Sequence, residues 1–435
     1  MKDNTAKGNR VAIVTMWGIF AMISFVTNMA APFGTIWQGR YEWGGMMGNA
    51  MNFLAYLIMG IPAGRMLARR GYKRTTLAAL ATGFVGMAVQ WLSCKVGAGV
   101  TLGGAIGLDY LVYLLGAFVC GFCVCMLNTV VNPLLNSLGG GGNRGNQLIQ
   151  TGGTLNSLTG ALTPLLVGVL VGAVTSRTSM TDVQPLLFIA MGVFLLAFAV
   201  IALVAIPEPE RQAGAARHER SALSFRHTLL GIVAIFFYVG LEVGIPGEML
   251  LYFSDESDAG AGVANGVAVG GAIAAVYWLL MMVGRAVSSA ISGKVSTRAQ
   301  LVFVSCLAAI LVTCAILLPK GMTMRMPAYT VANGFAMVSD VPVQVLFLVL
   351  CGLCTSLMWG AIFNLSVEGI GKYTEQASGL FMTMVVGGGV MPLVQNAVAK
   401  SAGYMNSYWL IVAMLGYILF YAIWGSRNVN ADIEV

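Results

Sequence analysis

The chain is a succession of apolar stretches of about 20 residues separated by short polar connections. This spacing limits the possible folds more than any other feature. A helix of ~20 residues crosses ~30 Å of hydrocarbon, and inside lipid a helix satisfies its own backbone hydrogen bonds. Twelve spans are predicted, over 11–33, 45–64, 75–93, 109–138, 147–173, 185–206, 228–251, 266–290, 300–318, 343–366, 376–398 and 407–425. Composition points the same way. Charged residues make up 9% of the chain and apolar ones 58%, whereas a soluble domain carries roughly 25% charge. The expected class is an all-α polytopic membrane protein.

The net charge of +7 reflects topology. Placing the N-terminus inside puts 18 of the 24 Lys and Arg residues in inner segments. That is the positive-inside pattern, with both termini cytoplasmic, and it calls for no nucleic-acid partner. The first apolar stretch is long enough to span and has no small-residue cleavage site, so it is expected to remain as span 1. Cys120 and Cys123, like Cys351 and Cys354, form C-x-x-C pairs inside predicted spans. Small polarizable residues pack well between membrane helices, and no disulfide or metal site is expected.

The longest polar segment, "PEPERQAGAARHERSALSFRH", divides the chain into 1–206, a cytoplasmic linker over 207–227, and 228–435. The two halves resemble each other. "CGFCVCMLNTVVNPLLNSLG" in span 4 aligns with "CGLCTSLMWGAIFNLSVEGI" in span 10, Pro164 with Pro392, and Gly64-Arg65 with Gly284-Arg285. Six plus six spans in the same orientation imply a parallel repeat, with a substrate site expected near the midplane at the repeat interface.

Polar side chains within the spans are few and ordered. Asn128, Asn132 and Asn136 recur every four residues, which places them on one helix face. Asn128 lies ~15 Å from the inner end of span 4. Pro133 predicts a kink and a freed carbonyl at Thr129. In span 5, Gln150, Thr154 and Ser157 share a face that Asn156 adjoins. Amides and hydroxyls both donate and accept, which suits a neutral polyhydroxylated ligand, although amides also serve helix packing in membranes. Glu242 in span 7 is an intramembrane acid, and so a candidate for ion coupling or substrate contact. Glu248 is expected at the outer mouth. Arg285 is expected near the inner face, too far from Glu242 to pair with it, bracing an inner gate. Trp17, Trp37, Tyr56, Tyr238, Tyr277, Trp278 and Trp359 are the aromatic candidates. Tyr238 shares a face with Glu242 and Trp359 aligns with Asn128 across the repeat, so these two are preferred.

Two sets of motifs resemble a known family. "GRMLARRGYKRT" resembles the loop signature of the major facilitator superfamily, G-x-x-x-D-R-x-G-R-K, through Gly64, Arg69, Gly71 and Lys73. Ala68 stands at the acidic position, and Arg69 is the gate candidate. "NTVVNPLLNSLGGGGNRGNQLIQTGGTLNSL", "FYVGLEVG" and "MWGAIFNLSVEGIGKYTEQASGLFM" resemble the fucose-proton-symporter-like branch of that superfamily, especially its bacterial glucose/galactose and N-acetylglucosamine members. The resemblance implies twelve transmembrane helices in two pseudo-symmetric six-helix halves and sugar transport by alternating access. Asn132-Pro133 and Asn156 match the branch pattern. Ala30-Ala31 in span 1 and Asn128 in span 4 stand where the branch carries acids. Asn128 can bind a sugar hydroxyl and cannot carry a proton near neutral pH, so coupling would pass to Glu242.

The expectation is a transporter and not an enzyme, without a cofactor, monomeric, in the inner membrane of a bacterium. It would move a monosaccharide or small derivative by proton-coupled uptake. The expected substrate-binding residues are Asn128, Asn132, Gln150, Asn156, Tyr238, Glu242, Trp359 and Asn364. An uncoupled sugar facilitator, or a transporter of another small solute, are the alternatives.

Overall fold

Each of the twelve expected spans falls on helix, spans 2 and 3 sharing one and spans 1, 10 and 11 each taking two, with the end of span 5 (172–173) outside the described residues. The structure is a computed structural model and describes residues 2–41, 44–96, 100–102, 106–171, 178–208, 221–330 and 334–430. Most of the expected linker (209–220, with His218) and Arg177 lie outside the described residues. The first span is α1 (Lys2–Asn28) with α2 (Ala30–Gln38). α3 (Gly44–Ser93) covers the next two, and α4 (Leu108–Leu138), α5 (Gly142–Val171) and α6 (Gln184–Leu203) follow. Then come α7 (Arg226–Ser254), α8 (Gly266–Ile291) and α9 (Thr297–Leu317). Span 10 is broken into α10 (Val343–Thr355) and α11 (Met358–Ser366), and span 11 into α12 (Thr374–Thr383) and α13 (Gly387–Ala402). α14 (Tyr404–Phe420) is the last. Among the described residues, ten helical stretches are long and apolar enough to cross a membrane.

α3 has 50 residues. At 1.5 Å each it would measure ~75 Å, more than twice a bilayer's hydrocarbon. Gly71 breaks it, with φ +83° and ψ 178°, a conformation that glycine adopts without a Cβ penalty. The α4–α5 connection is a turn in which Gly140, Gly141 and Gly142 have φ of +77°, +73° and +54°.

A short antiparallel pair, β1 (Thr101–Leu102) with β2 (Ile106–Gly107), precedes α4. A longer hairpin, β3 (Thr323–Thr330) with β4 (Gly334–Pro342), separates α9 from α10. The expected all-α class holds for the spans, and this hairpin is an addition to it. Its cause is a period-two pattern: Met326 and Ala328 are buried, while Arg325 and Pro327 are more open.

The described chain forms two compact units. The first comprises Met1–Leu138, Leu158–Ser221 and Lys372–Thr383. The second comprises Gly139–Ser157, Ala222–Gly371 and Met384–Val435. Each unit therefore includes a short segment from the other half of the sequence.

In the first unit, α12 packs on α3 at backbone distance. A Cβ built on Gly64 would lie 2.8 Å from Glu375 O and from Gly379 Cα, and one on Gly379 would lie 2.7 Å from Gly60 O. Small residues four apart allow this approach. Beside it, the Glu208 carboxylate accepts from the amides of Tyr72 (2.9 Å) and Lys73 (3.0 Å). It caps the helix that restarts after Gly71, where negative charge is favoured. Lys73 Nζ in turn donates to Ala202 O (2.8 Å) and Val204 O (2.9 Å) at the end of α6. At the other end of the unit, Arg40 pairs with Asp109 beside a cluster of Trp37, Tyr41, Tyr110 and Tyr113.

In the second unit, α7 is central and packs against α8, α11, α13 and α14. Its acid Glu248, expected at the outer mouth, lies six residues before the end of α7 and is 3% exposed. The small side of α7 at Gly244 lets Gln395 of α13 press close, with its Oε1 2.5 Å from where a Cβ would be.

Candidate functional site

Polar side chains gather in two places, one in each unit. In the first unit the asparagine face of α4 is turned inward. Asn128, Asn132 and Asn136 are all buried. Asn128 Nδ2 donates to the Tyr56 hydroxyl of α3 at 2.7 Å and to Val124 O at 3.2 Å. Asn132 Nδ2 donates to Asn128 O at 2.8 Å. Pro133 has no N–H to offer Thr129 O, and the Ser378 hydroxyl of α12 supplies that bond at 3.0 Å. The carbonyl freed by the proline is thus satisfied by a neighbouring helix. Ala30 lines a cavity of about 10 Å³ with Thr27, Asn52, Gln90 and Tyr113. That is room for about one water molecule.

In the second unit the centre is Glu242 on α7. Arg285 Nη2 of α8 approaches Glu242 Oε1 at 3.4 Å, and the two side chains are 14% and 15% exposed. This corrects the expectation that they are too far apart to pair. Counting residues along each helix places their backbones at different depths, but side chains lean toward the N-terminus of their own helix. α7 and α8 are consecutive and run in opposite directions, so the two side chains lean toward each other. A long arginine stem closes the remainder.

Arg285 makes three further contacts. Its Nε donates to Ser356 O at 3.1 Å, and its Nη1 donates to Gly153 O at 3.2 Å and to Ser157 Oγ at 3.0 Å. Ser356 lies in the break between α10 and α11, where a carbonyl loses its helical partner. Gln150 Nε2 serves the adjacent carbonyl, Leu357 O, at 2.8 Å. Asn364 Nδ2 donates to Gly142 O at 3.0 Å. Gln150 and Asn364 are therefore engaged in fastening α5 to the α10–α11 break and to α11. Asn146 to Ser292 Oγ (3.0 Å), Gln147 to Ser289 O (3.1 Å) and Thr151 to Ser289 Oγ (2.6 Å) fasten it to α8. Asn156 is half-buried on the same segment.

Tyr238, one turn before Glu242, is fully buried. Its ring meets half-buried Trp359 edge-on, with centroids 6.3 Å apart at 61°. The structure therefore brings Tyr238, Glu242, Arg285 and Trp359 together around α7. Arg69 is exposed on the first unit.

Residue patterns do not separate Tyr277 from the other aromatic candidates. Its hydroxyl meets Thr355 Oγ1 at 3.0 Å and Glu242 O at 3.4 Å. A signal is present in Pro246, which cannot donate to the carbonyl four residues earlier, that of Glu242. The place of Tyr56 beside Asn128 likewise cannot be read from spacing. Among the described residues no three His, Cys, Asp or Glu side chains come together as a metal site.

Membrane-spanning helices with broken spans and buried polar clusters define a polytopic membrane protein of the transporter type. The chain matches the Major Facilitator Superfamily over residues 11–392 and belongs to it. It is 27% identical to the glucose/galactose transporter of Brucella abortus biovar 1 (strain 9-941), over 98% of this chain and 97% of that protein. It is 22% identical to the L-fucose-proton symporter of Escherichia coli (strain K12), over 86% of this chain and 83% of that one. Among solved structures, a point-substituted form of the E. coli fucose:proton symporter superposes with a TM-score of 0.79 at 18% identity, covering 97% of this chain and 100% of that one.

Proposed function

We propose that this protein is a secondary transporter that takes up a neutral sugar, a monosaccharide or small derivative, by alternating access with a coupled proton. The observation that carries the reading is the buried cluster of Tyr238, Glu242 and Trp359 on α7 and α11. It combines a carboxylate that can accept hydrogen bonds from sugar hydroxyls with the half-buried Trp359 ring, on which the apolar face of a sugar can stack. Similarity to a glucose/galactose transporter along nearly the whole chain supports the same substrate class. Asn128, Asn132, Gln150, Asn156 and Asn364 complete the proposed binding set. Glu242 is the proton carrier, and Arg69 and Arg285 are gate residues. The protein acts as a monomer in the bacterial inner membrane with both termini cytoplasmic. Its halves are 1–206 and 228–435, joined by 207–227.

A second reading, an uncoupled facilitator, has its own observation. Glu242 already faces Arg285, and an intramembrane acid held in an ion pair can serve as a fixed structural charge without carrying a proton. Sugar uptake into proteoliposomes with and without an inward proton gradient separates the two. Symport predicts gradient-driven accumulation that Glu242→Gln abolishes while sugar exchange persists. Uptake that only equilibrates, whatever the gradient, refutes the proton claim. Absence of monosaccharide uptake under both conditions refutes the substrate class.

A further inference from the structure

Among the described residues, Arg285 is the one cation that joins Glu242 to α5. Its guanidinium gives Nη2 to the carboxylate and Nη1 to both Gly153 O and Ser157 Oγ. Its stem lies over Gly153, where a Cβ would be 3.3 Å from Arg285 Cδ. Bonds between neutral groups also hold Gly139–Ser157 to its neighbours in the second unit, through Asn143, Asn146, Gln147, Gln150 and Thr151 and from Asn364 to Gly142 O. We propose that Arg285 is a positioning residue that makes the docking of residues 139–157 depend on the charge state of Glu242.

The physical step is short. With Glu242 ionised, the guanidinium is neutralised and held where it can serve Gly153 and Ser157. With Glu242 protonated, low-dielectric surroundings hold a cation without its counter-charge, which is costly. The long side chain then withdraws toward water, and the Gly153 and Ser157 bonds go with it. Proton arrival on Glu242 Oε1 forms one O–H bond and removes one negative charge, and no other group changes.

The surroundings leave Glu242 as the group that titrates. Tyr238 on α7 and Tyr277 on α8 are the titratable side chains that face Glu242, and Cys351 and Cys354 on α10 face Tyr277 behind it. Tyrosine and cysteine ordinarily stay neutral below pH ~8. Lys400 of α13 and Tyr408 of α14 face Glu248, and α11 carries no titratable side chain.

The proposal rests on Glu242 being the proton carrier. Its test is a distance and not an uptake rate. Spin labels at Arg144→Cys and Lys294→Cys, both exposed positions, report the separation of α5 from the turn that follows α8 by pulsed EPR. The full chain is used in lipid nanodiscs, with the half-buried Cys94, Cys306 and Cys314 replaced by serine. Between pH about 8 and about 5 the docked population of the wild type should fall roughly tenfold relative to the undocked one, the scale of losing hydrogen bonds to a charged group. Glu242→Gln should give the undocked distribution at both pH values. Ser157→Ala should weaken docking at high pH while keeping the pH profile, and Arg285→Lys, which keeps the charge, should retain more docking than Arg285→Ala. A pH response that survives in Glu242→Gln overturns the proposal, and so does a wild-type distribution that does not change with pH. If Glu242→Gln fails to fold, the wild-type titration and Ser157→Ala decide alone. A chain that shows the distance change without moving any sugar overturns the substrate reading and leaves this one standing. Proton-driven sugar uptake without the distance change does the reverse.

Discussion

Ser378 and Pro133 are predicted to be energetically coupled through one oxygen atom. Pro133 removes the amide that would bond Thr129 O, and the Ser378 hydroxyl replaces it at 3.0 Å. Thr129 and Ser378 are both fully buried. Ser378→Ala therefore leaves a carbonyl without that partner and should cost about 1–3 kcal/mol, the penalty for a buried orphan acceptor. Pro133→Ala restores an N–H four residues after Thr129, so α4 closes its own bond. In that background Ser378→Ala should cost about 0.5 kcal/mol or less, because the carbonyl keeps a partner. The expected coupling in a double-mutant cycle is then about 1–2 kcal/mol, within the range for residues sharing one hydrogen-bond network. Reversible unfolding in mixed detergent micelles, followed by tryptophan fluorescence, gives the four free energies. Additive costs, with Ser378→Ala equally damaging in both backgrounds, would falsify the view that the hydroxyl substitutes for a backbone amide.

Two further outcomes follow from the packing and the ring geometry. Gly379→Ala places a methyl 2.7 Å from Gly60 O, so α12 must move off α3, and the same unfolding assay should show a loss of about 1–3 kcal/mol. Gly271→Ala on α8, with open space at its Cβ, should show no loss, and similar costs for both would exclude close packing as the cause. Trp359→Ala removes the ring facing Tyr238 and should raise the KM for sugar about tenfold, the worth of one good aromatic contact, with kcat little changed. An unaltered KM would remove Trp359 from the binding set.

The spans could be read directly because length and hydropathy are properties of consecutive residues. The inward face of Asn128, Asn132 and Asn136 followed from helical period in the same way, and so did the carbonyl freed by Pro133. What resisted reading depends on the direction in which a side chain leaves its helix. Depth counted along α7 and α8 separated Glu242 from Arg285. Their opposite lean, which depends on helix polarity, brings them together. Gln150 and Asn364 have the chemistry of sugar ligands. Their engagement with Leu357 O and Gly142 O depends on a break in span 10 that no helix-breaking residue marks. The β3–β4 hairpin was legible in principle, since Met326 and Ala328 alternate with Arg325 and Pro327, yet a short alternating run beside apolar helices is readily taken for a loop.

The glycine turn between α4 and α5 has one more consequence. At Gly140, Gly141 and Gly142 a Cβ would enter open space, so volume does not keep other residues out. Handedness does, because all three backbones are left-handed, and each ordinary L-residue there would cost about 1–2 kcal/mol. A D-alanine has the mirror preference and suits the left-handed backbone. Placed there by semisynthesis, it should leave the connection intact where L-alanine strains it, which makes this turn a point where the chain is sensitive to the chirality of a residue.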